Sequence, residues 1–203
     1  MILEIIILVL AFGLIGLIFV YTLISGSPPT PTSGRVRGAM LRLLPRHLPL
    51  SEIHLIYDLG SGWGGVAPSL SHLYPNHYVV GIERSPIPWA ISRLSSALRG
   101  WTNVSFELGD FMQRDLSDAS LVVCYLAGAQ MEKLGLKLES ELKPGALVLT
   151  HTFAIPSWRP VDLIRADDIY RSPVYLYEIS ATSKGCVASV SQAATESSSS
   201  PDS

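Results

Sequence analysis

Charge, cysteine and acidic flanking residues are what this 203-residue sequence has least of. Asp, Glu, Lys and Arg make up 16% of it against 48% hydrophobic residues, and a mean hydropathy of +0.33 excludes a wholly disordered chain. There are two cysteines, Cys124 in an apolar run and Cys186 near the C-terminus, which excludes a disulfide framework or a zinc scaffold. The 15 Lys+Arg nearly balance the 17 Asp+Glu, and no basic stripe with interleaved aromatics appears, so nucleic acid is not expected as a partner. His54, His72 and His77 lack metal-ligand spacing and read as structural, so no metal is expected either. Internal repeats are also absent.

The apolar residues that are present are unevenly distributed. Ile5 to Leu23 is an almost unbroken run of Ile, Leu, Val, Ala, Gly and Phe, long enough to cross a bilayer as a helix. No positive charge precedes it, which separates it from a cleaved signal peptide, although a cut near Ser25-Gly26-Ser27 is the competing reading. Arg35, Arg37, Arg42 and Arg46 follow it, with no acidic residue between Leu23 and Leu50, and such flanks stay inside. The expectation is a single-pass membrane protein with its domain on the cytoplasmic or matrix-equivalent side. The organisation reads as an anchor over 1–25, a Pro/Ser-rich then basic linker over 26–50, one domain over 51–179, and a disordered Ser-rich tail over 180–203.

Within the domain, short apolar runs alternate with helical periodicity, which predicts an α/β fold with a largely parallel sheet. Strands are expected at 54–57, 78–82, 103–106, 121–125 and 146–150, with two weaker ones near 160–164 and 174–179. Val66, Leu70 and Leu73 mark one helix, with Pro68 in its first turn. Ile87, Ile91, Leu94 and Leu98 mark a second amphipathic helix, and Leu134, Leu138 and Leu142 a third. Only a short polar stretch separates the third strand from the fourth. Sheets of this kind bind ligands at the carboxyl ends of their strands, where strand order reverses.

The first strand runs into Asp58-Leu59-Gly60-Ser61-Gly62-Trp63-Gly64-Gly65. Glycines at such a turn let backbone approach a ligand closely. Gly60, Gly62 and Gly65 also satisfy the dinucleotide pattern G-x-G-x-x-G, with Glu83 at the distance of a ribose acceptor. A carboxylate at Asp58 would repel a pyrophosphate and welcome the ammonium of a methionine moiety. Glu83 could accept from both ribose hydroxyls, and Asp110, in Leu108-Gly109-Asp110-Phe111, from an adenine amino group. The domain is too short for a second mononucleotide half, so S-adenosylmethionine fits better than a dinucleotide. Each residue also has a plainer reading. Asp58 could be only a helix cap, Cys124 reads as a small buried hydrophobe, and Tyr125 could pack under the sheet or line the slot for a substrate nitrogen. Arg159 and Arg165 read as solvated or paired.

On these residues the sequence resembles the class I, seven-stranded S-adenosylmethionine-dependent methyltransferases, with a Rossmann-like sheet. The resemblance rests on Asp58 to Gly64, Glu83 and Gly109-Asp110, and covers roughly 53–179. Within that class the chain is most similar to the small membrane-anchored protein-lysine methyltransferases. The features that carry this are the N-terminal anchor, Tyr125-Leu126-Ala127 after strand four, and Phe153 to Pro160. The resemblance implies S-adenosylmethionine as cofactor, held by Asp58, Gly60, Ser61, Gly62, Glu83 and Asp110. It implies Tyr125 as the residue at the methyl-transfer centre, Phe153 and Trp158 as substrate contacts, and a lysine of a membrane-associated protein as acceptor. Trp63 stands where the subgroup usually carries an acidic residue. The alternatives are a methyltransferase for a small lipophilic molecule such as a quinone or lipid, and a cofactor-binding protein without turnover.

Overall fold

A computed structural model describes residues 2–25, 31–44, 55–126 and 128–180. Helix α1 (Ile2–Ser25) is followed by α2 (Gly34–Leu43), and then by β1 (Leu55–Leu59), α3 (Ala67–Leu73), β2 (Tyr78–Glu83), α4 (Pro86–Arg99) and β3 (Val104–Leu108). Next come β4 (Ala119–Cys124), α5 (Gly128–Glu141), β5 (Leu147–His151), β6 (Asp162–Arg165) and β7 (Pro173–Glu178). Seven strands form one sheet in the order β3-β2-β1-β4-β5-β7-β6. Pairings among β1 to β5 are parallel, whereas β7 runs antiparallel to β5 and to β6. The strand order reverses between β1 and β4, which opens a crevice at their carboxyl ends.

Period-two alternation divides the core into two layers. Ile56, Val79, Val104, Phe106, Val123, Leu149 and Leu176 face α2, α3 and α4, whereas Tyr57, Leu59, Ile82, Val122, Val148 and Tyr177 face α5. The second layer forms as the periodicity predicts. Met131, Leu134 and Leu138 are buried on α5, and Leu142 just beyond it is fully buried as well.

The strands are offset from the apolar runs by a residue or two. β1 runs through Asp58 and Leu59, because the ladder continues past the apolar stretch with Asp58 opposite Gly81 and Leu59 opposite Ile82. The position of His54 lies outside the described residues, as do Arg46, Ala127, Cys186 and all of the expected tail except Ser180.

Two larger corrections concern the first layer. The stretch read as a basic linker contains α2, capped by Ser33, whose hydroxyl accepts from the Val36 amide at 3.3 Å. Its Val36, Ala39, Met40 and Leu43 are buried against the sheet. The spacing i, i+3, i+4, i+7 defines this face, and the arginines occupy the turns between. In α4 the helix is where it was expected but its faces are exchanged. Ser92 and Ser96 are 1% and 8% exposed, while Ile91, Leu94 and Leu98 are 43%, 59% and 78% exposed. The cause is close approach: a Cβ on Gly64 would lie 2.7 Å from that of Ser92, so only a small side chain fits between α4 and the Gly-rich turn. Trp89 fixes the rotation by donating its indole N–H to the Phe106 carbonyl at 3.0 Å.

α1 is helical over its whole range, with Ile2, Leu3, Ile5 to Leu10, Phe12 and Ile15 exposed. Among the described residues, however, no helix is long and apolar enough to cross a membrane, so the structure bears out a helix here and not a membrane span.

Candidate active site

The carboxyl ends of β1, β4 and β5 open into a cleft, the place where a sheet of this order binds its ligands. Asp58, Gly60, Ser61, Gly62, Trp63 and Tyr125 line it, together with His151 and, from the N-terminal segment, Pro31, Thr32 and Met40.

The turn after β1 is pinned to the end of β2, since the amides of Gly60 and Ser61 both donate to the Ile82 carbonyl, at 2.9 and 3.1 Å. Gly60 has φ +70°, a conformation that favours glycine, and a Cβ there would have to displace the end of the Leu126 side chain, 2.9 Å away. The Ser61 hydroxyl oxygen is buried without a hydrogen-bond partner. An orphaned buried hydroxyl in a glycine cradle needs an external partner, and a ligand with polar groups supplies one.

Asp58 is 4% exposed and accepts from the Ala67 amide at 3.2 Å through one carboxylate oxygen. It therefore both caps the start of α3 and lines the cleft, so the two readings of this residue coexist. Burial, reinforced by the nearby Glu83 carboxylate, raises its pKa to about 7. A cation in the cleft would relieve that cost.

Glu83 ends β2, where its two oxygens accept from the amides of Gly62 at 2.8 Å and Ser85 at 2.7 Å. Each oxygen keeps a further lone pair, so the carboxylate is fixed in place and still able to accept. Asp110 accepts from the Met112 amide at 2.9 Å, and the preceding Gly109 amide donates to the Glu83 carbonyl at 2.9 Å. The three acidic residues thus stand at the ends of β1, β2 and β3 in the order in which those strands lie in the sheet.

On the far wall, Tyr125 stacks on His151 with ring centroids 4.1 Å apart and planes at 20°. Burial holds the His151 imidazole neutral, lowering its pKa to about 4. Its Nε2 lies 3.2 Å from the Thr32 hydroxyl and its Nδ1 3.2 Å from that of Thr152. Thr152 has φ +67°, which is rare for a β-branched residue, and it turns the chain sharply at the cleft edge.

The other expected residues fall elsewhere. Trp158 does not line this cleft; it packs against Tyr177 in the α5 layer with ring centroids 5.5 Å apart. Phe153 is partly exposed beside Gly128 at the start of α5. Cys124, by contrast, lies at the base of the cleft, where burial pushes its thiol up to about 12, so it is an inert residue there. Pro31, Thr32 and Met40 are the lining residues that sequence reasoning missed. For Met40 the signal was the α2 periodicity; for Thr32 there was none, because its contact with His151 spans 119 positions.

A sheet with this strand order, with acidic residues closing its first three strands and a glycine turn beneath an open cleft, defines a class I S-adenosylmethionine-dependent methyltransferase. The chain belongs to the family of the ANTKMT methyltransferase domain, whose model matches residues 58–162. It is 33% identical over 156 residues to a protein-lysine N-methyltransferase of Saccharolobus islandicus (strain REY15A), covering 75% of this chain and 93% of that protein. It is 31% identical over 108 residues to the adenine nucleotide translocase lysine N-methyltransferase of Mus musculus, covering 53% of this chain and 47% of that longer protein. Among solved structures, an RNA methyltransferase from Salinibacter ruber in complex with S-adenosyl-L-homocysteine superposes with a TM-score of 0.66. It is 29% identical and the match covers 75% of this chain and 95% of that one. The activity is S-adenosylmethionine-dependent methyl transfer, of the protein-lysine methyltransferase family.

Proposed function

We propose that this enzyme methylates lysine side chains of a protein at a membrane, to which α1 tethers it. The observation that supports the lysine reading is the likeness to a protein-lysine N-methyltransferase over 93% of that protein, and the Tyr125–His151 stack lines the same cleft as Asp58. In this reading Asp58 holds the methionine ammonium, Ser61 and the amides of Gly60 and Gly62 line its path, Glu83 accepts from the ribose hydroxyls, and Asp110 from the adenine amino group. S-Adenosylmethionine, when bound, supplies the electrophilic methyl carbon and the sulfur leaving group. The chain's task is orientation of a neutral amine in line with that carbon.

A free lysine has a pKa near 10.4, so the site must favour the deprotonated amine. Desolvation within the cleft does this, and Tyr125 presents a polar edge to the nitrogen. His151 contributes by staying neutral, since an imidazolium stacked on Tyr125 would add positive charge where a sulfonium and an incoming amine must already meet. Phe153 and Trp158, if they act on substrate, do so from outside this cleft, through the α5 side. The membrane reading is supported by the uncharged run from Ile5 to Leu23, the arginines after it, and the exposed apolar side chains of α1.

The test is incubation of the purified full-length chain with methyl-labelled S-adenosylmethionine and isolated membranes, followed by separation of protein from lipid. Label in a protein band, located on lysine by hydrolysis and lost in Glu83→Ala, is the expected result. Label in the lipid extract would assign a small lipophilic acceptor. Cofactor binding without transfer to either fraction would mark a protein that binds without turnover.

A further inference from the structure

We propose that the outer face of α4 docks on an anionic lipid bilayer, with Ile91, Leu94 and Leu98 seated at the headgroup boundary. The exchange of faces in α4 is the starting point. Its serines fill the space against the Gly-rich turn, and three large aliphatic side chains at helical spacing are left in solvent, the last of them 78% exposed. A helix that buries serine and exposes leucine has its apolar stripe turned toward something outside the fold.

The charge on this layer identifies the occupant. α2, α3 and α4 together carry Arg35, Arg37, Arg42, Arg93 and Arg99 and no acidic residue, whereas α5 on the opposite layer carries Glu132, Glu139 and Glu141 against Lys133 and Lys137. Arg35 and Arg37 are engaged with the carbonyls of Asp167 and Gly65, and the Arg35 charge also acts on the Asp168 carboxylate. Arg93 and Arg99 flank the apolar stripe itself. Each guanidinium lies over an indole, Trp89 at 5.4 Å and Trp101 at 5.5 Å, which braces it while leaving N–H donors for phosphate. An exposed aliphatic stripe with an exposed arginine to each side of it matches an interfacial helix on anionic lipid. An RNA surface would be met by exposed aromatics, but here Trp89 and Trp101 are partly buried against the core.

This inference rests on the membrane part of the proposed function, because α1 leads in sequence into α2, the first helix of the same layer. The experiment separates the two. In the full-length chain with Cys186→Ser, an environment-sensitive fluorophore is attached at Leu98→Cys or, as control, at Leu136→Cys. Leu136 is 65% exposed on α5. Both positions are solvent-facing, and retained S-adenosylhomocysteine binding verifies that each variant folds. The chains are reconstituted with phosphatidylcholine vesicles, with or without phosphatidylserine, containing a lipid-borne quencher.

The expected result is loss of emission at position 98, not at 136, in the vesicles containing phosphatidylserine. Arg93→Gln and Arg99→Gln should each shift the docked population about fivefold toward undocked. Chains that float with vesicles while position 98 stays unquenched, or is quenched equally with 136, would overturn the docking face and leave the anchor intact. Equal quenching in pure phosphatidylcholine would overturn the anionic preference. Chains that fail to float at all would overturn both readings.

Discussion

α4 and α5 are helices of equal length with comparable apolar periodicity, and they sit on opposite faces of one sheet with opposite outcomes. α5 buries its stripe: Met131, Leu134 and Leu138 are at most 1% exposed. α4 buries Ser92 and Ser96 and leaves Ile91, Leu94 and Leu98 outside. The spacing of apolar residues gives a helix two unlike faces, but the shape of the surface beneath decides which face goes down. Under α5 the sheet offers a broad apolar plane. Under α4 it offers a glycine turn and the edge of Phe106, close enough that only small side chains fit. The site lies on the α4 side of the sheet, since Asp58, Glu83 and His151 share the strand parity of Ile56, Val79 and Leu149.

The largest effect expected from this contrast is on the α5 side. Leu138→Ala removes a fully buried side chain from the α5 layer and should cost about 2–5 kcal/mol, read as a lowered denaturant midpoint with little change in slope. A cost no greater than that of truncating Leu98 would dissolve the distinction between the two helices.

How far this contrast could be read in advance depends on what each inference needed. The seven strands were legible because each apolar run is bounded by turn residues, although β1 extends to Leu59 through a pairing that the run itself does not encode. The placement of Asp58, Gly60 and Glu83 at the strand ends and the turn between them was legible because the apolar runs stop there and glycines follow the first of them. The buried face of α2 was present as Val36, Ala39, Met40 and Leu43, yet three arginines in ten residues masked it as a linker. Orientation of α4 and the approach of Thr32 to His151 are tertiary facts. They depend on the space left by Gly64 and on a contact across the whole domain.

The site layer should announce itself through pH. Asp58 has its folded pKa raised from 3.8 to about 7, so it binds protons on folding, and its share of stability is lost as the pH rises across that window. His151 has its folded pKa lowered from 6.5 to about 4, so its share is lost as the pH falls from 6.5 toward 4. The two oppose each other, and single variants separate them. Asp58→Asn should steepen the loss of stability in acid, and His151→Asn should flatten it, in denaturant midpoints measured from pH 4 to 8. Cofactor affinity carries the same signature. If the carboxylate of Asp58 receives a cation, affinity should rise about tenfold per pH unit below 7 and level above it, a slope that calorimetry should find missing in Asp58→Asn.

Between α4 and the turn, the expected effect is smaller but directional. Ser92→Leu gives α4 the residue that its periodicity would place in a core, at a position where the Gly64 backbone leaves no room. Overpacking should cost about 1–3 kcal/mol, and because the strain passes into the Gly60–Gly64 turn, cofactor affinity should fall with it. A stabilised protein would mean that the serines are not a packing requirement.

The smallest effect is the most discriminating. Leu94→Ser and Leu98→Ser remove aliphatic surface that already lies in water, so each should change stability by no more than about 0.5 kcal/mol in solution. If they were buried as the corresponding leucines of α5 are, the same truncations would cost several times that. An unchanged stability in solution has meaning only beside a change elsewhere, and the pair of variants supplies both: thermal unfolding of the lipid-free protein should not distinguish them from the parent chain, whereas their association with vesicles containing phosphatidylserine should weaken. A stripe that is silent in folding and active at a surface is selected by something other than the fold, and α4 differs from α5 in that respect.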